Sequence, residues 1–197
     1  MPFNLPIILT LLRIVLIPVL GLAFLLPAPQ ANWLAVAIFG LAGITDWLDG
    51  YLARRLGQTS AFGAFLDPVA DKLIVAVSLV ALLTFNPYPY FAVPSAIIIG
   101  REIAVSALRE WMASLGRQAS VAVNMMGKVK TTAQMVAILL LLYGRDIGPV
   151  PLQAIGLGLL YIAAALTLYS ALLYLRAAWG TMKEQPSPTG VDDDAGA

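Results

Sequence analysis

Six long apolar stretches dominate the chain, and several of them carry charged residues inside the apolar run rather than beside it. They extend over about Leu5 to Leu26, Asn32 to Leu56, Pro68 to Phe85, Phe91 to Leu115, Val121 to Tyr143 and Leu152 to Trp179. Pro/Gly-rich or polar breaks separate them, such as Pro27-Ala28-Pro29 and Asn86-Pro87. A helix needs about 20 apolar residues to cross a bilayer. Six such runs leave little of the 197 residues for anything else. Hydrophobic residues make up 60% of the chain and charged residues 12%, against roughly 25% charged in a soluble domain. Mean hydropathy is +0.85. The expectation is an all-α integral membrane protein with six transmembrane helices around a cytoplasm-facing polar cavity. A single membrane domain covers residues 1–180, followed by a disordered cytoplasmic tail over 181–197, which is polar and holds three consecutive aspartates. No basic residue precedes the first stretch and Arg13 lies inside it, so it reads as a span rather than a cleaved signal.

Orientation follows from loop charge. The breaks after the first and third stretches carry no Lys or Arg, and Arg145 in the break after the fifth is balanced by Asp146. Arg54, Arg55, Arg117, Lys128, Lys130, Arg176 and Lys183 all fall on the other side. The positive-inside rule places that side, and both termini, in the cytoplasm. Trp33, Tyr88, Tyr90, Tyr143 and Trp179 sit near segment ends, as an interfacial aromatic belt does. The expected location is the cell (inner) membrane, multi-pass. A net charge of +1 gives no reason to expect a nucleic-acid partner.

Asp46, Asp49, Asp67, Asp71, Arg101, Glu102, Arg109 and Lys128 lie in or beside spans, near their cytoplasmic ends. An ionisable group at the bilayer centre costs at least ~2.5 kcal/mol on insertion scales. So many of them imply a water-accessible cavity. Asp46 and Asp49 are three apart, Asp67 and Asp71 four apart; either spacing puts a pair on one helix face. Asp46, Asp49, Gly50 and Ala53 form one stripe, in which small residues leave room beside the carboxylates. The chain has no Cys and no His. Facing carboxylates without nitrogen or sulfur donors suit a hard ion, Mg²⁺ or Mn²⁺, of the kind that also binds substrate phosphates. With no His available, a carboxylate is also the candidate general base. The plain alternative makes these aspartates interfacial salt-bridge partners of Arg54, Arg55 or Lys72.

The run Asp46-x2-Asp49-Gly50-x2-Ala53-Arg54-x8-Gly63-x3-Asp67-x3-Asp71 resembles the signature of the CDP-alcohol phosphotransferase family at all eight fixed positions, over 26 residues. The resemblance implies six transmembrane helices and a homodimer. It implies that Asp46, Asp49, Asp67 and Asp71 ligate metal, two ions, and that Asp71 is also the base on the acceptor hydroxyl. Asp49, Gly50, Ala53, Arg54 and Gly63 are implied at the CDP-donor site, and Thr10 and Arg13 are candidates for the donor diphosphate. Arg13 reads equally well as a snorkelling residue.

Asn4-Leu5-Pro6 through Arg13 and Pro18, the run Gly100-Arg101-Glu102-Ile103, Arg109, and Asn124 through Thr132 are similar to the branch of that family using glycerol 3-phosphate as acceptor. That branch implies Mg-dependent transfer of the phosphatidyl group from CDP-diacylglycerol to sn-glycerol 3-phosphate, giving phosphatidylglycerophosphate and CMP. A phosphate dianion needs cations, and Arg101, Arg109, Lys128 and Lys130 are the candidates. Asn124, Lys128 and Thr131 share a helix face that Lys130 does not, so Lys128 is preferred over Lys130 as a cavity residue. Glu102 is expected to pair with an arginine, and Arg55 to be a membrane anchor. Within the family the rivals are inositol phosphate as acceptor, or phosphatidylglycerol as in a cardiolipin synthase. Outside it stand a membrane prenyltransferase, which gives Gly50, Ala53, Arg54 and Gly63 no role, and a small transporter, whose charges would be spread through the membrane depth.

Overall fold

The computed structural model describes residues 5–56, 61–86, 88–114 and 125–183. Its elements are six helices, α1 (Leu5–Ala23), α2 (Gln30–Leu56), α3 (Ala61–Phe85), α4 (Pro89–Ser114), α5 (Met125–Tyr143) and α6 (Leu152–Lys183). Each apolar stretch of the sequence corresponds to one helix. Four are long and apolar enough to cross a membrane, with candidate spans Gln30–Leu52, Phe65–Phe85, Pro89–Ser114 and Leu152–Arg176; Ile7–Ala23 and Lys130–Tyr143 are shorter apolar helices.

Of the boundaries that differ from the expected ones, two bear on the site and the tail. α3 begins at Ala61 and carries Pro68 inside it. Asp67-Pro68 reads as a helix edge, but proline removes only one amide donor and the apolar turn before it continues the helix. Asp67 therefore stands inside α3 together with Asp71. α6 runs to Lys183, three residues into the segment read as tail. The rest of that segment, 184–197, lies outside the described residues, as do Arg117 and Asn124.

The packing forms a ring. Going round it, α1 packs on α2, α2 on α5, α5 on α6, α6 on α4, α4 on α3, and α3 on α1; α3 also touches α2 and α5. Leu20, Phe39, Leu79, Ile98, Ile138 and Leu160, one from each helix, are buried in a common core. Buried alanines at 35, 42, 137, 163 and 164 let backbones approach, as small residues do between membrane helices. Outward, Val15, Leu22, Ile44, Val80, Ile103 and Leu172 stand exposed. A surface this apolar is untenable in water and neutral against lipid. The chain is a membrane protein.

The end of the bundle away from the aspartates is tied by α2 and α5. The Asn32 side-chain amide donates to the Tyr143 carbonyl at 3.1 Å, and the Trp33 and Tyr143 rings meet edge-on at 5.2 Å. Gly144 follows in the left-handed region, φ 73°. A Cβ there would stand 1.8 Å from the Asn32 amide nitrogen. Gly144→Ala is therefore expected to lower stability by at least about 1–2 kcal/mol from backbone strain alone. Thermal unfolding of the purified variant in detergent checks this; an unchanged midpoint would contradict the tie.

Candidate active site

The four aspartates gather at one end of α2 and α3, and α1 supplies what holds them. Thr10 and Arg13 lie three apart on α1 and so share a face. Both are fully buried. The Thr10 hydroxyl donates to Asp67 Oδ1. Arg13 Nη1 donates to Asp71 Oδ1 at 2.6 Å and lies 3.2 Å from Asp46 Oδ1, while Nη2 donates to Asp49 Oδ2 at 2.6 Å. One guanidinium thus serves three carboxylates from two helices. Asp49 is buried with it, whereas the Asp46 and Asp71 side chains are nearly half exposed toward the cavity. Arg13 is buried among the carboxylates and does not snorkel. The salt-bridge alternative is met in kind but with another partner: Arg55 instead donates to the Tyr51 hydroxyl at 2.9 Å on the exposed side of α2, where an anchor belongs.

Among the described residues no three acidic side chains form, as placed, a cage for a metal ion. Three of them converge on Arg13, so the spot already accommodates a positive charge. The donor set is carboxylate oxygen with a hydroxyl beside it, which fits a hard divalent cation. Gly50 lies on α2, and Gly63 lies on the early part of α3 that the sequence reading left between the spans. Ala53 and Arg54 belong to α2, but their side chains lie outside the described residues.

A cavity of about 240 Å³ opens beside the aspartates. Arg13, Asp46 and Asp71 line one wall, Lys72 and Val75 continue along α3, and Glu102, Lys130, Thr131 and Gln134 close it from α4 and α5. Lys130 is buried and its ammonium donates to Glu102 Oε1 at 3.0 Å. The preference for Lys128 over Lys130 is thereby corrected for Lys130: it is a cavity residue, because its long side chain swings across to α4. The Lys128 side chain lies outside the described residues.

The other two expected cations face elsewhere. Arg101 Nη1 donates to Glu102 Oε1 and Nη2 to Ser170 Oγ on α6, both at 2.6 Å. Arg101 lines a separate apolar cleft with Leu108, Trp111 and Leu175. Arg109 is exposed, with its guanidinium 5.4 Å from the centre of the Tyr174 ring on α6. Adjacent helix positions are about 100° apart, from 3.6 residues per turn, so when Glu102 looks into the cavity Arg101 turns toward α6. Glu102 pairs with an arginine as expected, and with Lys130 as well. Lys72 and Gln134 enter the cavity without having been singled out as ligands; Gln134 had a signal, four residues after Lys130.

Comparison with known proteins adds the family. The sequence profile described as CDP-alcohol phosphatidyltransferase matches residues 3–173. A CDP-diacylglycerol–glycerol-3-phosphate 3-phosphatidyltransferase of Salmonella choleraesuis (strain SC-B67) is 50% identical over 185 residues, 94% of this chain and all of that protein. Proteins of the same name from Shigella flexneri serotype 5b (strain 8401) and Escherichia coli (strain K12) are each 49% identical over the same spans.

Breaking a buried ion pair by removing one partner costs about 3–5 kcal/mol, since the other charge stays buried. Arg13→Met is expected to destabilise the fold on that scale in metal-free buffer. Asp49→Asn in the Arg13→Met background should restore part of the loss. Additive losses in this cycle, read from unfolding in detergent, would show that Arg13 does not hold Asp49.

Proposed function

The chain belongs to the CDP-alcohol phosphatidyltransferase family, and on that premise we propose that it transfers the phosphatidyl group of CDP-diacylglycerol to sn-glycerol 3-phosphate, releasing CMP. That it is a CDP-alcohol phosphotransferase follows from the family. The acceptor is the finer reading, and the names of its relatives support it. The observation that carries it is the cavity in which Asp46 and Asp71 face Lys130 across one small space. A carboxylate that can take a proton and a buried ammonium that can hold a phosphate are what a phosphorylated alcohol needs.

In this reading Mg²⁺ or Mn²⁺, two ions, is held by Asp46, Asp49, Asp67 and Asp71, and supplies neutralisation of the diphosphate and polarisation of the attacked phosphorus. Asp71 takes the proton of the attacking hydroxyl as the new P–O bond forms and the bond to the CMP phosphate oxygen breaks. Lys130 holds the acceptor phosphate, and Lys72 adds positive charge to the cavity from α3. Glu102 keeps Lys130 aimed into the cavity and offsets its charge while the site is empty of phosphate. Gly50 and Gly63, with Ala53 and Arg54, belong to the donor nucleotide. All six helices cross the membrane, with both termini and the cavity mouth cytoplasmic, because the basic residues concentrate at that end. The homodimer implied by the family belongs to the same proposal.

Purified protein with CDP-diacylglycerol is expected to release CMP fastest with sn-glycerol 3-phosphate, and EDTA should abolish turnover. Losing one charge-assisted contact costs about 1.5–3 kcal/mol, hence roughly tenfold or more in affinity. Lys130→Gln should raise KM for glycerol 3-phosphate by that factor and leave KM for CDP-diacylglycerol nearly unchanged. Asp71→Asn should lower kcat instead. Faster release with inositol phosphate or phosphatidylglycerol would overturn the acceptor assignment.

A further inference from the structure

The α5 wall of the cavity carries a polar atom that the chemistry above does not use. Gln134 lies one helical turn after Lys130, so both look into the same space. Only 5% of Gln134 is exposed. Its Oε1 is buried and accepts no hydrogen bond. The other buried side-chain atoms left without a partner among the described residues are the Nε donors of Arg13 and Arg101 and the Thr167 hydroxyl, which does not line this cavity. Among the described residues Gln134 Oε1 is thus the buried, unpartnered side-chain acceptor on a residue that lines the substrate space. Buried carbonyl oxygens are ordinarily satisfied, and an exception calls for a ligand or a water.

We infer that Gln134 accepts a hydrogen bond from the hydroxyl of the acceptor that does not react, and so selects a polyol phosphate over an alcohol phosphate lacking that group. The inference rests on the acceptor reading above. Glycerol 3-phosphate carries a phosphate, a primary hydroxyl and a secondary hydroxyl between them. With the phosphate at Lys130 and the primary hydroxyl at Asp71, the secondary hydroxyl enters a wall made largely of Ile74, Val75 and Met135. It needs an acceptor there, and Gln134 Oε1 needs a donor. A site built to bond a substrate hydroxyl discriminates strongly against the analogue lacking it, since the site's own polar group is then left bare. Gln134 touches no reacting atom; its part is recognition.

The test compares sn-glycerol 3-phosphate with 3-hydroxypropyl phosphate, which keeps the phosphate and the primary hydroxyl and lacks the secondary one. CMP release gives kcat/KM for each at saturating CDP-diacylglycerol. Wild type should favour glycerol 3-phosphate by at least about tenfold. Gln134→Met fills the same volume without the acceptor oxygen. It should lose that preference through a fall on glycerol 3-phosphate alone, and its melting temperature without acceptor should match wild type. Gln134→Leu provides the same reading if the methionine variant fails to accumulate. Equal use of both acceptors by wild type overturns the inference whatever the variants do. So does an equal loss on both acceptors in the variant, or an unchanged preference. No CMP release from wild type with glycerol 3-phosphate overturns the acceptor assignment itself, and the inference with it.

Discussion

A single buried guanidinium organises this end of the bundle. Arg13 reaches carboxylates on α2 and α3 from α1. Without a cation, carboxylates gathered in a low-dielectric wall repel one another, and each unpaired charge carries a desolvation cost. Arg13 supplies that cation from within the chain, so the helices can pack with their acidic faces together before any substrate arrives. Thr10, one turn earlier on α1, takes the remaining aspartate. The acidic pairs can then be presented to a cavity instead of being buried against lipid.

The second pole of the cavity is built on the same rule with signs exchanged. Glu102 is shared by Lys130 and Arg101, so a carboxylate from α4 steadies a cation from α5. Arg101 reaches on to Ser170 and links this pair to α6. The two polar clusters face each other across a small space, while the bundle's outer surface is largely apolar. Among the described residues the buried charged groups Arg13, Asp49 and Lys130 each have a partner, as membrane-embedded charges require.

Much of this was legible in the sequence. The six apolar runs mark the six helices, and the spacings of Asp46/Asp49 and Asp67/Asp71 place each pair on one face. What escaped depends on partners brought from elsewhere in the chain. Whether Arg13 snorkels or is buried cannot be read from α1 alone; it is decided by carboxylates more than 30 residues away. Lys130 looked turned aside by helix periodicity, yet a four-carbon stem reaches round a helix. Arg101 and Arg109 carry suitable chemistry, but the face they share with α6 is a property of packing. Pro68 read as a helix start because proline is tolerated in a first turn and disfavoured in a helix interior, yet α3 runs through it.

The carboxylates of α2 and α3 converge on one site for positive charge. The direct measurement is Mn²⁺ binding to the purified protein, followed by the loss of the free-ion electron paramagnetic resonance signal. Wild type is expected to bind Mn²⁺, and Asp46→Asn on α2 and Asp67→Asn on α3 should each weaken binding by roughly tenfold or more, the scale of one lost charge-assisted contact. Binding unchanged in both variants would contradict a shared site.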